Sequence, residues 1–282
     1  MKYLIILFIF LSYSLNAQDL LKFNKRNVQC EDKWVAYQMD KDSTYTFGFI
    51  YIDSQAGLTL NYEGKFKISN GKFNRIESKT DDEIGFMKVR LQPNEIAIAE
   101  IPEAKFKELK IEKTPNWLKH YKSGENTIER LYRWGYMYNG WNECEKALTF
   151  LEKANKLNPK FKGLQTELAY SYNALKEYHK AEVSLKKAIK ENPNDCYTYK
   201  ELAYTYTKLL EFNKVSNTYN IMINICKKNN FIQETAYNLA YEYFKAKDKI
   251  KFKKWKMETE KWSESESQYT KSLNLMEKEL NK

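Results

Sequence analysis

The chain has 282 residues, 43% of them hydrophobic and 15% aromatic, which is enough for two domains or a domain plus a repeat array and excludes a disordered chain. Nine glycines and five prolines argue against long flexible linkers. Lysine and arginine outnumber the acids by 47 to 37, a formal charge of +10.

Residues 1–17 have the order of a leader. Lys2 precedes an apolar run from Tyr3 to Leu15, and Asn16-Ala17-Gln18 follows. The run is shorter than the roughly 20 residues that span a bilayer. The order predicts a secretory signal peptide, with an uncleaved anchor as the alternative reading. No cysteine directly follows the run, which argues against a lipid anchor, and no second run of spanning length occurs. Export predicts a periplasmic or secreted protein with no transmembrane segment after cleavage, and argues against nucleic acid as a partner despite the basic balance. It also permits disulfides. Cys30, Cys144, Cys196 and Cys226 allow three full pairings, among which the sequence does not choose.

Residues 18–113 read as a small antiparallel β module. The runs Trp34 to Met39, Thr44 to Asp53, Leu58 to Ser69, Phe73 to Lys79, Phe86 to Gln92 and Glu95 to Ile101 are rich in β-branched and aromatic residues. Asn70-Gly71 between two such runs signals a tight hairpin. Lys65, Lys67 and Ser69 alternate with Phe66 and Ile68, the pattern of a half-exposed strand. Thr114-Pro115-Asn116 breaks the module, and 114–126 reads as a linker containing a short helix over 117–121.

From about residue 127 the chain repeats itself every 34 residues. Pro193 follows Pro159 at that spacing, as do Ala181 after Ala147, Leu185 after Leu151, Ala188 after Ala154 and Tyr172 after Tyr138. Leu131, Trp134 and Tyr138 form one apolar helical stripe. Gly135, Ala169, Ala147 and Ala181 are small enough for neighbouring helices to approach closely. A third unit begins at Leu202-Ala203-x2-Tyr206, with Val215, Met222 and Lys227 where earlier units have alanine, alanine and proline. A fourth begins 37 residues later, at Leu239-Ala240-x2-Tyr243, and its second half over 249–262 keeps little of the pattern. Leu273, Met276 and Leu280 share one stripe, as expected of a capping helix over 263–282.

This pattern resembles the tetratricopeptide-repeat (TPR) family, whose period and Gly/Tyr/Ala/Pro signature it follows. The resemblance covers residues 127–262, as units at about 127–160, 161–194, 195–229 and 232–262. It implies an α+β chain, a β module followed by an all-α solenoid of helical hairpins. The β module itself looks similar to those of exported repeat proteins of unassigned function. A solenoid of this kind implies a protein or peptide partner, no cofactor and no catalysis.

In such a hairpin the signature positions point to the core within about 60° of one direction, and five other positions point away. The resemblance places the latter on the concave face. They comprise Glu129, Tyr132, Tyr136 and Asn139 in the first unit, Thr166, Tyr170 and Asn173 in the second, and Tyr197, Lys200 and Tyr204 in the third. Tyr136, Tyr170 and Tyr204 share one position, and tyrosine offers apolar area and a hydroxyl at low entropic cost. One subgroup of the family binds C-terminal carboxylates with an asparagine where Tyr136 stands, so chaperone-tail binding is not expected here.

Other chemistry is thin. His120 and His179, the latter placed between the helices of the second unit, have no companion ligands for zinc. There is no phosphate-binding glycine loop and no nucleophile elbow. The acidic run at 81–83 reads as a solvated loop. Cys144 sits at an inter-helix packing position, and Cys196 and Cys226 mark the two ends of one helical hairpin, where a disulfide can form. Lys245, Lys247, Lys249, Lys251, Lys253, Lys254 and Lys256 surround the single acid Asp248. They read as a solvated face or, as the second functional hypothesis, as a dock for an anionic envelope glycan or lipid.

Overall fold

The computed structural model describes residues 20–76, 87–226, 230–262 and 267–281. The leader (1–17) and the acidic run (81–83) lie outside the described residues. Internal contacts divide the chain into two units, Met1–Gly124 and Glu125–Lys282.

The first unit is an antiparallel sheet. Its strands are β1 (Lys33–Ala36), β2 (Tyr45–Asp53), β3 (Gly57–Ser69), β4 (Lys72–Ile76), β5 (Lys88–Arg90) and β6 (Ala99–Glu100), in the order β4-β3-β2-β1-β6 with β5 also on β3. Asn70 and Gly71 both have positive φ and close the β3–β4 hairpin, which pairs Ser69 with Lys72. Between β2 and β3, the Asp53 carboxylate accepts hydrogen bonds from the backbone N–H groups of Gln55 and Ala56, which turns the chain. One sheet face is an aromatic layer that includes Trp34, Tyr45, Phe47, Phe49, Tyr51, Phe66 and Phe73.

That layer corrects the reading of 114–126 as a linker. Residues Asn116–Tyr121 form a 3₁₀ helix whose Trp117 ring meets Tyr51 at 5.0 Å and Phe49 at 5.8 Å, edge to face. Leu118 is buried in the same layer, and the Lys122 ammonium reaches Asp32 at 2.6 Å. Pro115 ends the strand region, but the apolar side chains after it find their place on the sheet.

The second unit consists of α1 (Ile128–Gly140), α2 (Cys144–Leu157), α3 (Leu164–Ala174), α4 (Tyr178–Glu191), α5 (Cys196–Lys208), α6 (Phe212–Ile225), α7 (Asn230–Lys245), α8 (Lys249–Lys261) and α9 (Gln268–Leu280). Four helical hairpins and a final helix thus follow the sheet: the fold is α+β, with a tetratricopeptide-like solenoid. His179 lies within the first turn of α4 and not in the turn before it.

The repeat is written into the backbone more regularly than into the side chains. Each hairpin turn carries one left-handed residue: Asn142, Lys176, Leu210 and Lys247. In each, the next N–H returns to the carbonyl of the conserved-position tyrosine: Glu143 to Tyr138 (2.9 Å), Glu177 to Tyr172 (2.8 Å), Glu211 to Tyr206 (2.9 Å) and Asp248 to Tyr243 (3.0 Å). This is the six-residue closure of a Schellman turn, which satisfies carbonyls that the helix end leaves open.

The fourth hairpin therefore belongs to the series, although 249–262 shows little of the pattern. Ala147, Ala181, Val215 and Phe252 occupy one buried position, and Ala154, Ala188, Met222 and Thr259 another. The side chains change along the array while their burial does not. At the next position Leu151, Leu185 and Tyr219 are followed by Lys256, whose ammonium pairs with Glu277 of α9 at 2.8 Å and Glu260 at 3.2 Å. The stack turns polar where α9 caps it, and Leu273 of α9 is fully buried against its end.

Close helix approach depends on the small residues. A Cβ on Gly135 would lie 2.3 Å from Leu151 Cγ. Cys196 and Cys226 form a disulfide with Cα atoms 5.6 Å apart, joining the start of α5 to the end of α6. Cys30 and Cys144 are buried free thiols.

Ala181 has no exposed surface and belongs to the core between the helices. Ala181→Leu should cost about 1–3 kcal/mol by overpacking, read as a lower denaturant midpoint. Ala174→Leu, on an exposed helix end, should leave the midpoint nearly unchanged. Equal losses would overturn the helix register.

Candidate functional site

The odd-numbered helices of the second unit pack side by side, α1 on α3, α3 on α5 and α5 on α7, while the even-numbered ones chiefly meet their neighbours in the chain. The odd helices thus form one continuous layer, the side that the tetratricopeptide resemblance places on the inner, concave face.

Their seams are polar and buried. Asn139 of α1 donates to the Glu167 backbone carbonyl at 3.0 Å and to Glu167 Oε2 at 2.9 Å, and it accepts from Ser171 Oγ at 2.6 Å. One repeat later, Asn173 donates to Glu201 Oε2 at 3.2 Å and accepts from Thr205 Oγ1 at 2.9 Å. Thr166 and Thr198 share a buried hydrogen bond of 3.0 Å.

These contacts correct three expected groove residues. Asn139, Thr166 and Asn173 are buried between helices, where their side chains join one helix to the next. The side-by-side packing of α1, α3 and α5 draws these positions into the seam. An amide there exchanges water for two fixed partners, and leaving such a group unpaired would cost about 1–3 kcal/mol.

What the inner face does present is aromatic. Tyr136 is 58% exposed, and Tyr170 and Tyr204 are half-buried. Tyr241 of α7, 41% exposed, continues the row. The sequence reading missed it, although the step from Leu202 to Leu239 carries Tyr204 onto Tyr241. Lys208 lies over the Tyr204 ring at 5.1 Å and Lys245 over the Tyr241 ring at 5.2 Å, so the row is more cationic toward its C-terminal end.

Flanking groups fill the gaps. Tyr132 touches the rings of Tyr136 and Phe161 at centroid distances of 6.4 and 5.2 Å, and Glu129 is exposed beside them. Tyr197 meets Phe231 at 5.8 Å. Lys200 is half-buried, held by Glu201 at 2.9 Å and Glu234 at 3.8 Å, with its ammonium 5.0 Å from the Tyr197 ring centre.

Burial raises the phenol pKa of Tyr170 and Tyr204 and pushes Tyr132 up to about 12, so all three remain hydroxyl donors at neutral pH. Burial pulls Lys200 down, but Glu201 and Glu234 outweigh it and keep the ammonium charged. Burial also raises the Glu167 carboxyl, and the nearby Glu201 adds to that, against the Asn139 hydrogen bond.

The lysine cluster is less open than its sequence suggests. Folding brings Glu242 to Lys245 at 2.6 Å, Asp248 to Lys251 at 3.2 Å, and Glu260 and Glu277 to Lys256. Lys256 thus belongs to the capping contact. Lys247, Lys249, Lys253 and Lys254 keep no ion pair among the described residues. Among those residues, no group of three or more His, Cys, Asp or Glu side chains is placed to hold a metal ion.

No protein-family model matches the chain, and no curated protein matches it. Solved structures similar to it include "MamA MSR-1 C2", at 16% identity and a TM-score of 0.40 over 57% of this chain and 84% of that one. Another is "MamA RS-1 ArsTM double mutant", at 18% identity and a TM-score of 0.43 over 57% of this chain and 85% of that one. Likeness of this extent carries nothing about partner or activity.

The seam has a pH signature. Because folding raises the Glu167 pKa, the folded state holds that proton more tightly than the unfolded chain. Its contribution is present below the ordinary value of 4.5 and is lost as pH rises through the folded value. Glu167→Gln removes the titration and leaves an acceptor for Asn139. The variant's melting temperature should therefore gain on the wild type's between pH 4 and pH 7, measured by thermal melts across about that range. A constant difference would show that Glu167 titrates normally.

Proposed function

We propose that the second unit is a non-catalytic scaffold that holds an extended segment of a partner protein along Tyr136, Tyr170, Tyr204 and Tyr241. The observation that carries this reading is the recurrence of one accessible phenol at the same place in four successive hairpins. Asn139, Thr166 and Asn173 beside the row are taken up by the seams, whereas Tyr136 and Tyr241 stay exposed. A row of fixed rings with hydroxyl donors suits an extended peptide, because ring area supplies affinity and each hydroxyl can meet a backbone carbonyl. Glu129, Tyr132, Tyr197 and Lys200 flank the row and would set its preferences.

Alanine substitution at all four tyrosines should hurt binding more than folding. Truncating an interface aromatic anchor costs about 2 kcal/mol or more, and every 1.4 kcal/mol lost corresponds to about tenfold in affinity. Isothermal titration with the captured partner should show that loss while the melting temperature changes little. An unfolded variant would make the rings structural. A folded variant with unchanged affinity would remove the inner face as the site.

We further propose that the protein works outside the cytoplasm. Lys2 and the apolar run to Leu15 support this, and the Cys196–Cys226 disulfide suits an oxidising compartment. Mass spectrometry of the native protein should find its N-terminus at or near Gln18, and an intact Met1 terminus would contradict export.

A further inference from the structure

The outer face of α8 carries a pattern that the repeat stack does not use. At about 100° per residue, Ile250, Lys253, Lys254, Met257 and Lys261 fall within an arc of about 100°. Phe252, Trp255 and Thr259 point the opposite way and are buried. Ile250 is 85% exposed and Met257 55% exposed, two turns apart along the same line.

Single exposed apolar side chains are ordinary on protein surfaces. Here two of them are set among lysines, several of which form no ion pair among the described residues. Lys251 is paired with Asp248 and Lys261 with Glu258, whereas Lys247, Lys249, Lys253 and Lys254 have no ion pair among the described residues. The Lys254 ammonium lies 5.5 Å from the Trp255 ring centre.

From this arrangement we infer that α8 docks on the surface of a lipid leaflet containing anionic headgroups. Ammonium groups meet lipid phosphates, lysine stems lie along the boundary, and Ile250 and Met257 enter the first layer of acyl chains. The occupant follows from charge and apolar surface together. A second copy of this face would set lysines against lysines. A polyanionic glycan would engage the lysines and leave Ile250 and Met257 in water. Docking through an outer helix would leave the inner face of the odd helices free, so this inference does not depend on the tyrosine row.

The test is co-sedimentation of the full chain with phosphatidylcholine vesicles, with and without phosphatidylglycerol. Wild type should sediment with the anionic vesicles and much less with the zwitterionic ones. The zwitterionic arm also accounts for any hold of residues 3–15 on a bilayer. Lys253→Gln with Lys254→Gln should weaken the anionic partition by roughly fivefold per lysine, and Ile250→Ser by roughly tenfold. All of these side chains are exposed, so melting temperatures should be unchanged. Dextran sulfate, a soluble polyanion, should respond to the lysine variants and not to Ile250→Ser. Equal sedimentation with both vesicle types, or an anionic partition indifferent to Ile250→Ser, would overturn lipid docking, the second by reducing α8 to a charge-only polyanion site.

Discussion

The array depends on one contact made twice, a buried asparagine that joins α1 to α3 and α3 to α5. Asn139 binds Glu167 and Ser171, and Asn173 binds Glu201 and Thr205 in the same geometry. Each such hydrogen bond contributes only about 1 kcal/mol net, but an unpaired buried partner costs more than the bond provides. The seam therefore specifies registry more than it adds stability: a slip by one residue would strand an amide and a carboxylate together. Glu201 shows what is at stake, since it is nearly fully buried and both Asn173 and Lys200 reach its carboxylate.

Registry in turn spaces the surface. Small residues at Gly135, Ala169, Ala203 and Ala240 bring the helices together, the asparagines lock their axial position, and the tyrosines one turn away are carried into a row. The disulfide closes the third hairpin at its open end, where the chain between α6 and α7 departs from the 34-residue period. Stabilisation thus comes from apolar packing within each hairpin and against its neighbours, as in other linear arrays.

Much of this was legible in the sequence, and the parts that were not have a common cause. The period located every hairpin because Gly, Ala and Pro report backbone needs that few other residues meet. The strands were legible because Asn70-Gly71 admits almost one turn. What escaped was decided by contacts between elements. Helical angle placed Asn139 and Asn173 away from their own core, but only the neighbouring helix shows that they enter the seam. Trp117 and Tyr121 read as part of a linker because the aromatic layer that receives them is built from strands distant in sequence. Tyr241 was hidden by the three extra residues before the fourth unit, and α8 by the replacement of alanine with Phe252 and Thr259. Lys256 looked like its neighbours until Glu277 arrived from another helix.

The central claim is that the inner face, and not the outer one, holds the partner. Site-specific photocrosslinking in the native compartment tests it most directly, with benzoylphenylalanine at Tyr170 in α3 and, separately, at the exposed Lys187 of the outer helix α4. The account predicts a discrete crosslinked protein from position 170 and none from position 187. The same adduct from position 187, with none from position 170, would contradict it.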